Sequence, residues 1–100
     1  TEESSAITTL TQRAGFLDAF RIANPTAPGP TVWQRVDVAA PMARRRVDYV
    51  FVAPGHAFPG RVRQSRVVLD APRPLPGGHV LWPSDHYGVL AEVDIFPPNF

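Results

Sequence analysis

One hundred residues, 44% of them hydrophobic, suit one small domain or a piece of a larger one. A formal net charge of +1 gives no bulk argument for nucleic acid, and the absence of cysteine excludes disulfides and thiolate zinc sites without deciding the compartment. Nothing resembles a signal peptide or an 18-residue apolar span. With 12 prolines and 7 glycines the chain is rich in turns. All ten basic residues are arginine, whose planar donor fork suits phosphate. The alternative is a bias toward Arg over Lys on a solvated surface.

The first predicted element is a short helix within Thr1–Gly15. Thr1, Ser4 and Ser5 are candidate caps, Glu2 and Glu3 suit its positive end, and Gly15 is the natural stop. Ile7, Leu10 and Ala14 share one face, so the helix is expected to pack on something. Phe16–Ile22 reads as a buried element in which Asp18 could cap a helical turn, and residues 24–30 form a loop with three prolines. Val32, Val36 and Val38 alternate as a strand would, and Trp33 is expected to pack or to cover a loop rather than to touch a ligand. Val47–Val52 is the clearest predicted strand by its β-branched and aromatic content. Asp48 shares a face there with Val50 and Val52, an expensive place for a carboxylate unless it is paired. That conflict makes Asp48 a candidate site residue.

Residues 53–60 form a Pro/Gly turn whose His56 is expected to be exposed, and residues 62–69 hold another strand. Residues 70–83 read as an irregular loop, long enough to be functional. The last strand spans Tyr87–Val93, with an extension to Ile95 left open, and Pro97-Pro98 ends any ladder. Domain content is therefore expected in residues 1–96, with 97–100 a tail.

Immediately before the last strand stands Ser84-Asp85-His86. An imidazole is a base tuned near neutrality, and a carboxylate beside it fixes its tautomer. Consecutive residues on an extended chain point opposite ways, so Asp85 is a poor orienter of His86. Asp48 is the natural choice, leaving Asp85 for a water, a metal or another partner. A competing reading makes Ser84, Asp85 and His86 a hydrogen-bonded turn with no site. His79 would border the same cleft, Arg44 and Arg45 could line a phosphate-binding rim, and Trp82 could pack over the site or stack on substrate.

Arg46-Val47-Asp48-Tyr49-Val50-Phe51-Val52 and Ser84-Asp85-His86, in this order and spacing, resemble the C-terminal part of the endonuclease/exonuclease/phosphatase superfamily, the fold of pancreatic deoxyribonuclease and the abasic-site endonucleases. Ser4–Phe20, ending Gly-Phe-Leu-Asp-Ala-Phe, and the Pro30-Thr31 pair are similar to further family segments, so the resemblance covers essentially the whole chain. It implies an α+β fold, the C-terminal portion of a two-layer αββα sandwich that is incomplete on its own. It also implies a metal-dependent hydrolase (nuclease or phosphatase) using Mg²⁺ or Mn²⁺. His86 and Asp48 would pair at the scissile phosphate, and Asp85 would position metal or water. The family's Asn-ended first strand, its metal-binding Glu, its central His and its Gly-Asp-Phe-Asn segment are missing. The resemblance therefore implies a fragment, inactive alone, whose partner is the N-terminal half of the same domain, as a second chain or an unseen segment, or else another copy of itself. The substrate would be a phosphate ester, with nucleic acid and lipid both open. The remaining alternatives are a non-catalytic binding or structural module and a degenerate relative with the same fold.

Overall fold

A computed structural model describes residues 1–53 and 61–94. The fold is α+β: short helices and small antiparallel sheets alternate along the chain. Helix α1 spans Ser5–Thr8 and continues as a π-helical turn over Thr9–Arg13. Of the three candidate caps, Ser4 holds the position, its Oγ accepting the Ile7 N–H at 3.4 Å. The π turn closes with Ala14 N–H on the Thr9 carbonyl and Phe16 N–H on that of Leu10, and Gly15, at φ 77°, ends it. The acids do not occupy the helix's first turn as expected. Glu2 precedes the cap and binds the Arg21 guanidinium at 2.7 and 2.8 Å.

Strand β1 is only Leu17–Asp18, because Asp18 immediately caps helix α2 (Ala19–Ala23) by accepting the Arg21 N–H at 3.4 Å. That brevity corrects the strand that was clearest in the sequence, Val47–Val52. Only Phe51–Val52 (β2) pairs with β1, in the register Leu17↔Val52 and Asp18↔Phe51. One further bond, Ala19 N–H to the Val50 carbonyl, extends the contact before the partner turns helical. Residues 47–50 thus lie outside the ladder.

Strands β3 (Val62–Val68) and β6 (Gly88–Val93) form the longest ladder, from Val62↔Val93 to Val68↔Gly88, with an irregularity between Val62 and Gln64. Helix α2 lies on this pair. Asn24 Nδ2 ties the helix's end to the Ser65 carbonyl at 2.7 Å. Ala19, Val52 and Val62 are the buried centre, with Leu17, Ile22, Val50, Ala91 and Val93 around them. Burial of such side chains contributes about 1.5–3 kcal/mol each. The stretch read as irregular, 70–83, contains a hairpin instead. Strands β4 (Arg73–Pro74) and β5 (Val80–Leu81) pair across a 3₁₀ turn at Pro76–Gly78, where Gly77 and Gly78 both take φ 79°. A second core cluster of Ala43, Trp82 and Tyr87, with Val67 against it, underlies the site.

Candidate functional site

Three chain segments meet at Val32. On one side Arg44 and Arg45 donate their N–H groups to the Val32 carbonyl at 3.0 and 3.2 Å, and Thr31 and Val32 donate to the Arg45 carbonyl. On the other side Tyr87 N–H reaches the Thr31 carbonyl at 2.7 Å and Gln34 N–H reaches that of Asp85 at 2.8 Å. Val32 therefore stands opposite both Arg45 and His86, as isolated bridges rather than in the strand expected through Val38. The reason is Gln34, which is buried. Its amide donates to the Arg35 and Ala40 carbonyls and accepts from Met42 N–H and the Tyr87 hydroxyl. A fully bonded side-chain hub of this kind bends the chain into a loop at less cost than an unpaired amide would.

Thr31 is completely buried, and its Oγ1 accepts the N–H groups of both Val47 and Asp48, at 3.0 and 3.1 Å. These amides have left the β ladder, and Thr31 replaces their strand partner. The same residue thus holds the Asp48 backbone through its side chain and the segment after His86 through its carbonyl. The Ser84 turn fixes the other member: Ser84 Oγ accepts the His86 N–H at 3.1 Å. The result is His86 Nδ1 at 2.8 Å from Asp48 Oδ2, across 38 residues of sequence. The turn and the Asp–His pair coexist; one does not replace the other.

A carboxylate carries no proton to give, so Nδ1 bears the hydrogen of this bond and Nε2 is left free to take or give a proton. Both side chains keep solvent access, 43% for His86 and 39% for Asp48. The hydrogen bond that His86 donates to Asp48 raises the His86 pKa above its usual 6.5, aided by the charges of Asp48 and Asp85 and opposed by desolvation. The charged imidazole is favoured by the fold. Its stabilisation is therefore complete below the unfolded pKa and is lost as pH rises through the folded one. An NMR titration of the His86 ring is expected to give a midpoint above 6.5, and Asp48→Asn is expected to lower it. A midpoint unmoved by that substitution would show that the pair does not persist in solution.

Asp85 is exposed, and its Oδ1 accepts the Ser84 hydroxyl at 3.3 Å. Its charge reaches His86, whereas its backbone serves Gln34. Arg44 and Arg45 are exposed and line a cleft of about 330 Å³ together with Glu2, Glu3, Arg21 and Arg46. Of the two roles open to Trp82, packing is the one observed, and the substrate-contact role is corrected. It is 2% exposed, stacks on Tyr87 and donates Nε1–H to the Val38 carbonyl at 2.6 Å. With both faces of its ring enclosed it is a core residue and offers nothing to a substrate. His79 sits on the β4–β5 hairpin, where its carbonyl accepts the Leu75 N–H. His56 lies outside the described residues, as do Ile95 and the tail 97–100. Among the described residues no three His, Cys, Asp or Glu side chains come together as a metal site. Asp85 alone is too few ligands for a hard cation, which needs oxygen donors from several groups. These residues do not by themselves fit Mg²⁺ or Mn²⁺.

Sequence reasoning missed the support of the pair. Thr31→Val keeps the shape of the side chain and removes the acceptor for two amides. It is expected to cost about 1–3 kcal/mol in urea unfolding, and Thr31→Ser is expected to restore most of that. Equal stability of all three proteins would sink the assigned role. The signal available in advance was a hydroxyl residue amid the apolar run Val32-Trp33, where nothing but a hydrogen bond makes it affordable. No family model, no curated protein and no solved structure matches this chain.

Proposed function

We propose that this chain supplies the His–Asp part of a metal-dependent phosphoesterase site, within the C-terminal portion of an αββα sandwich of the endonuclease/exonuclease/phosphatase type. The observation that carries the reading is the 2.8 Å contact between His86 and Asp48, two residues singled out by the motif resemblance and held together while both side chains keep solvent access. In the proposed role His86 lies against the phosphate as proton donor or acceptor, or as a hydrogen-bond support, and Asp48 fixes its tautomer. Asp85 would hold the water or metal at the rim. Mg²⁺ or Mn²⁺, held mainly by ligands that a partner segment would bring, would supply charge neutralisation at the phosphoryl oxygens.

The partner of this chain would then be the N-terminal half of the same domain, with self-association as the alternative. Exposed Val36, Met42, Val47, Leu81 and Leu90, and sheets of only two strands, give such a partner apolar surface and strand edges to cover. The test is hydrolysis of bis(p-nitrophenyl) phosphate with Mg²⁺ or Mn²⁺, by this chain alone and by this chain completed with its N-terminal half. Activity is expected only in the second. A completed protein that turns over no phosphate ester, diester or monoester, with either metal would overturn the reading.

A further inference from the structure

The Glu2–Arg21 ion pair borders two clefts at once. One is the cleft of about 330 Å³ that Arg44, Arg45 and Arg46 line. The other, of about 300 Å³, is lined by Glu2 and Arg21 again and by Ile7, Phe16, Leu17 and Ile22. The first is cationic and the second mainly apolar. Together they reach the size of a small-ligand site, which runs from about 300 to 1,000 Å³. Helix α1 does not fill the second cleft. No residue of α1 or of its π-helical turn is buried, and Ile7, on the face expected to pack, stays half-buried. π-helical turns recur at functional sites, and Thr11 and Gln12 of this one border the same cleft.

Arg21 is set for a carboxylate. Its Nη1 donates to the Asn24 and Ala27 carbonyls at 2.8 and 2.7 Å, which fixes the guanidinium plane and leaves the Nε–Nη2 edge to hold both Glu2 oxygens. That edge would hold any carboxylate the same way. Among the side chains of the two clefts, four arginines face Glu2, Glu3 and Asp18, which leaves one unit of positive charge unmatched. Arg21 and Arg46 are bound to Glu2 and Asp18, whereas among the described residues neither Arg44 nor Arg45 has a carboxylate partner. We propose that the two clefts form one site for an apolar monocarboxylate of the fatty-acid class. Its head group takes the place of Glu2 on Arg21, and its chain lies against Ile7, Phe16, Leu17 and Ile22. Arg44 and Arg45 then neutralise the released Glu2 carboxylate, which is a placeholder that the ligand displaces. An acidic peptide would use the arginines and leave the apolar cleft empty. The Asp48–His86 pair lines neither cleft, so the site stands apart from the phosphoesterase reading.

The probes are butanoate, hexanoate and octanoate, with octan-1-ol as the uncharged counterpart, titrated into the full chain by calorimetry at fixed pH and salt and below micelle formation. Affinity is expected to rise about three- to fourfold with each added methylene, on the order of 100-fold from butanoate to octanoate. Octanol should bind about 10-fold more weakly than octanoate, or worse. Glu2→Gln removes the competing charge and should tighten octanoate, a result that a merely structural Glu2 would not give. Ile7→Asn should weaken octanoate and leave butanoate alone. Arg44→Gln with Arg45→Gln should weaken octanoate and leave octanol alone. These side chains are exposed or half-buried, so the variants should fold, and circular dichroism checks it; the chain-length series on the parent needs none of them. Binding of no acid, affinity that does not grow with chain length, octanol bound as tightly as octanoate, or a Glu2→Gln protein that fails to bind octanoate more tightly would overturn the proposal. So would a tetraglutamate peptide bound more tightly than octanoate, which would assign the arginines to an acidic partner chain. Octanoate binding with no hydrolysis by the completed protein leaves this site and removes the phosphoesterase reading; hydrolysis with no octanoate binding does the reverse.

Discussion

Asp18→Ala should cost about 3–5 kcal/mol of stability, the largest effect of any single substitution considered for this fold. The Arg46 guanidinium is 5% exposed and gives both terminal nitrogens to the Asp18 carboxylate, which is 7% exposed. Phe20 and Tyr49 cover it, with its carbon centre 4.9 and 4.5 Å from their rings. Removing Asp18 leaves a buried cation whose nearest remaining carboxylate, Glu2, is at 3.4 Å and already committed to Arg21. The Nε of Arg46 has no partner to begin with. The same substitution removes the cap of α2. Small domains are stable by only about 5–15 kcal/mol, so the variant should unfold at much lower urea. Replacing both residues with apolar ones, Asp18→Leu with Arg46→Met, should recover most of the loss, because the cost lies in the unpaired charge. A midpoint for Asp18→Ala within error of the parent would show that the pair carries no weight.

The second large effect concerns chemistry and spares the fold. In the completed protein, His86→Ala and Asp48→Asn are each expected to lower phosphate-ester hydrolysis by about 10²–10⁴-fold. The asparagine retains size and polarity but lacks the charge that supports a protonated ring, and its amide can hold the imidazole in the wrong tautomer. Since the two residues act as one unit, the double variant should be hardly worse than the worse single one. Both side chains are solvated, so unfolding midpoints should barely move. Full multiplication of the two losses would mean that the residues act separately, and undiminished hydrolysis would remove them from the site.

What the sequence made legible was chemistry more than architecture. Asp48 stood out because a carboxylate conflicted with its apolar neighbours, and conflicts of that sort survive any error in secondary structure. The strands β3 and β6 were each legible because β-branched runs bounded by turns describe a strand directly, while their antiparallel pairing had to come from the fold. The strand at 47–52 was overread, since alternation describes a residue's own preference and says nothing of whether a partner is long enough. Here the partner ends at Asp18, which prefers to cap α2. Gln34 was invisible for a related reason: a buried polar residue is recognisable only through the groups that satisfy it, and its partners lie 1–53 residues away. Trp33 is exposed and Trp82 buried, and neither was decided by pattern, because both sit in Pro- or Gln-flanked chain where no period assigns a face.

Val32 and Thr31 form a clasp that makes the geometry of the pair independent of the lengths of chain between its parts. The His86 end is set by Ser84 and by contacts with residues 31–34 and 48, and among the described residues none of its hydrogen bonds reaches back into the hairpin at 73–81. That hairpin can lengthen, shorten or change composition while His86 stays in place, and extra residues in a surface loop add little closure entropy. One arrangement of a few atoms could in this way be inherited unchanged while the structure at its margin diversifies, so selection for new ligands would act on the hairpin and leave the clasp alone.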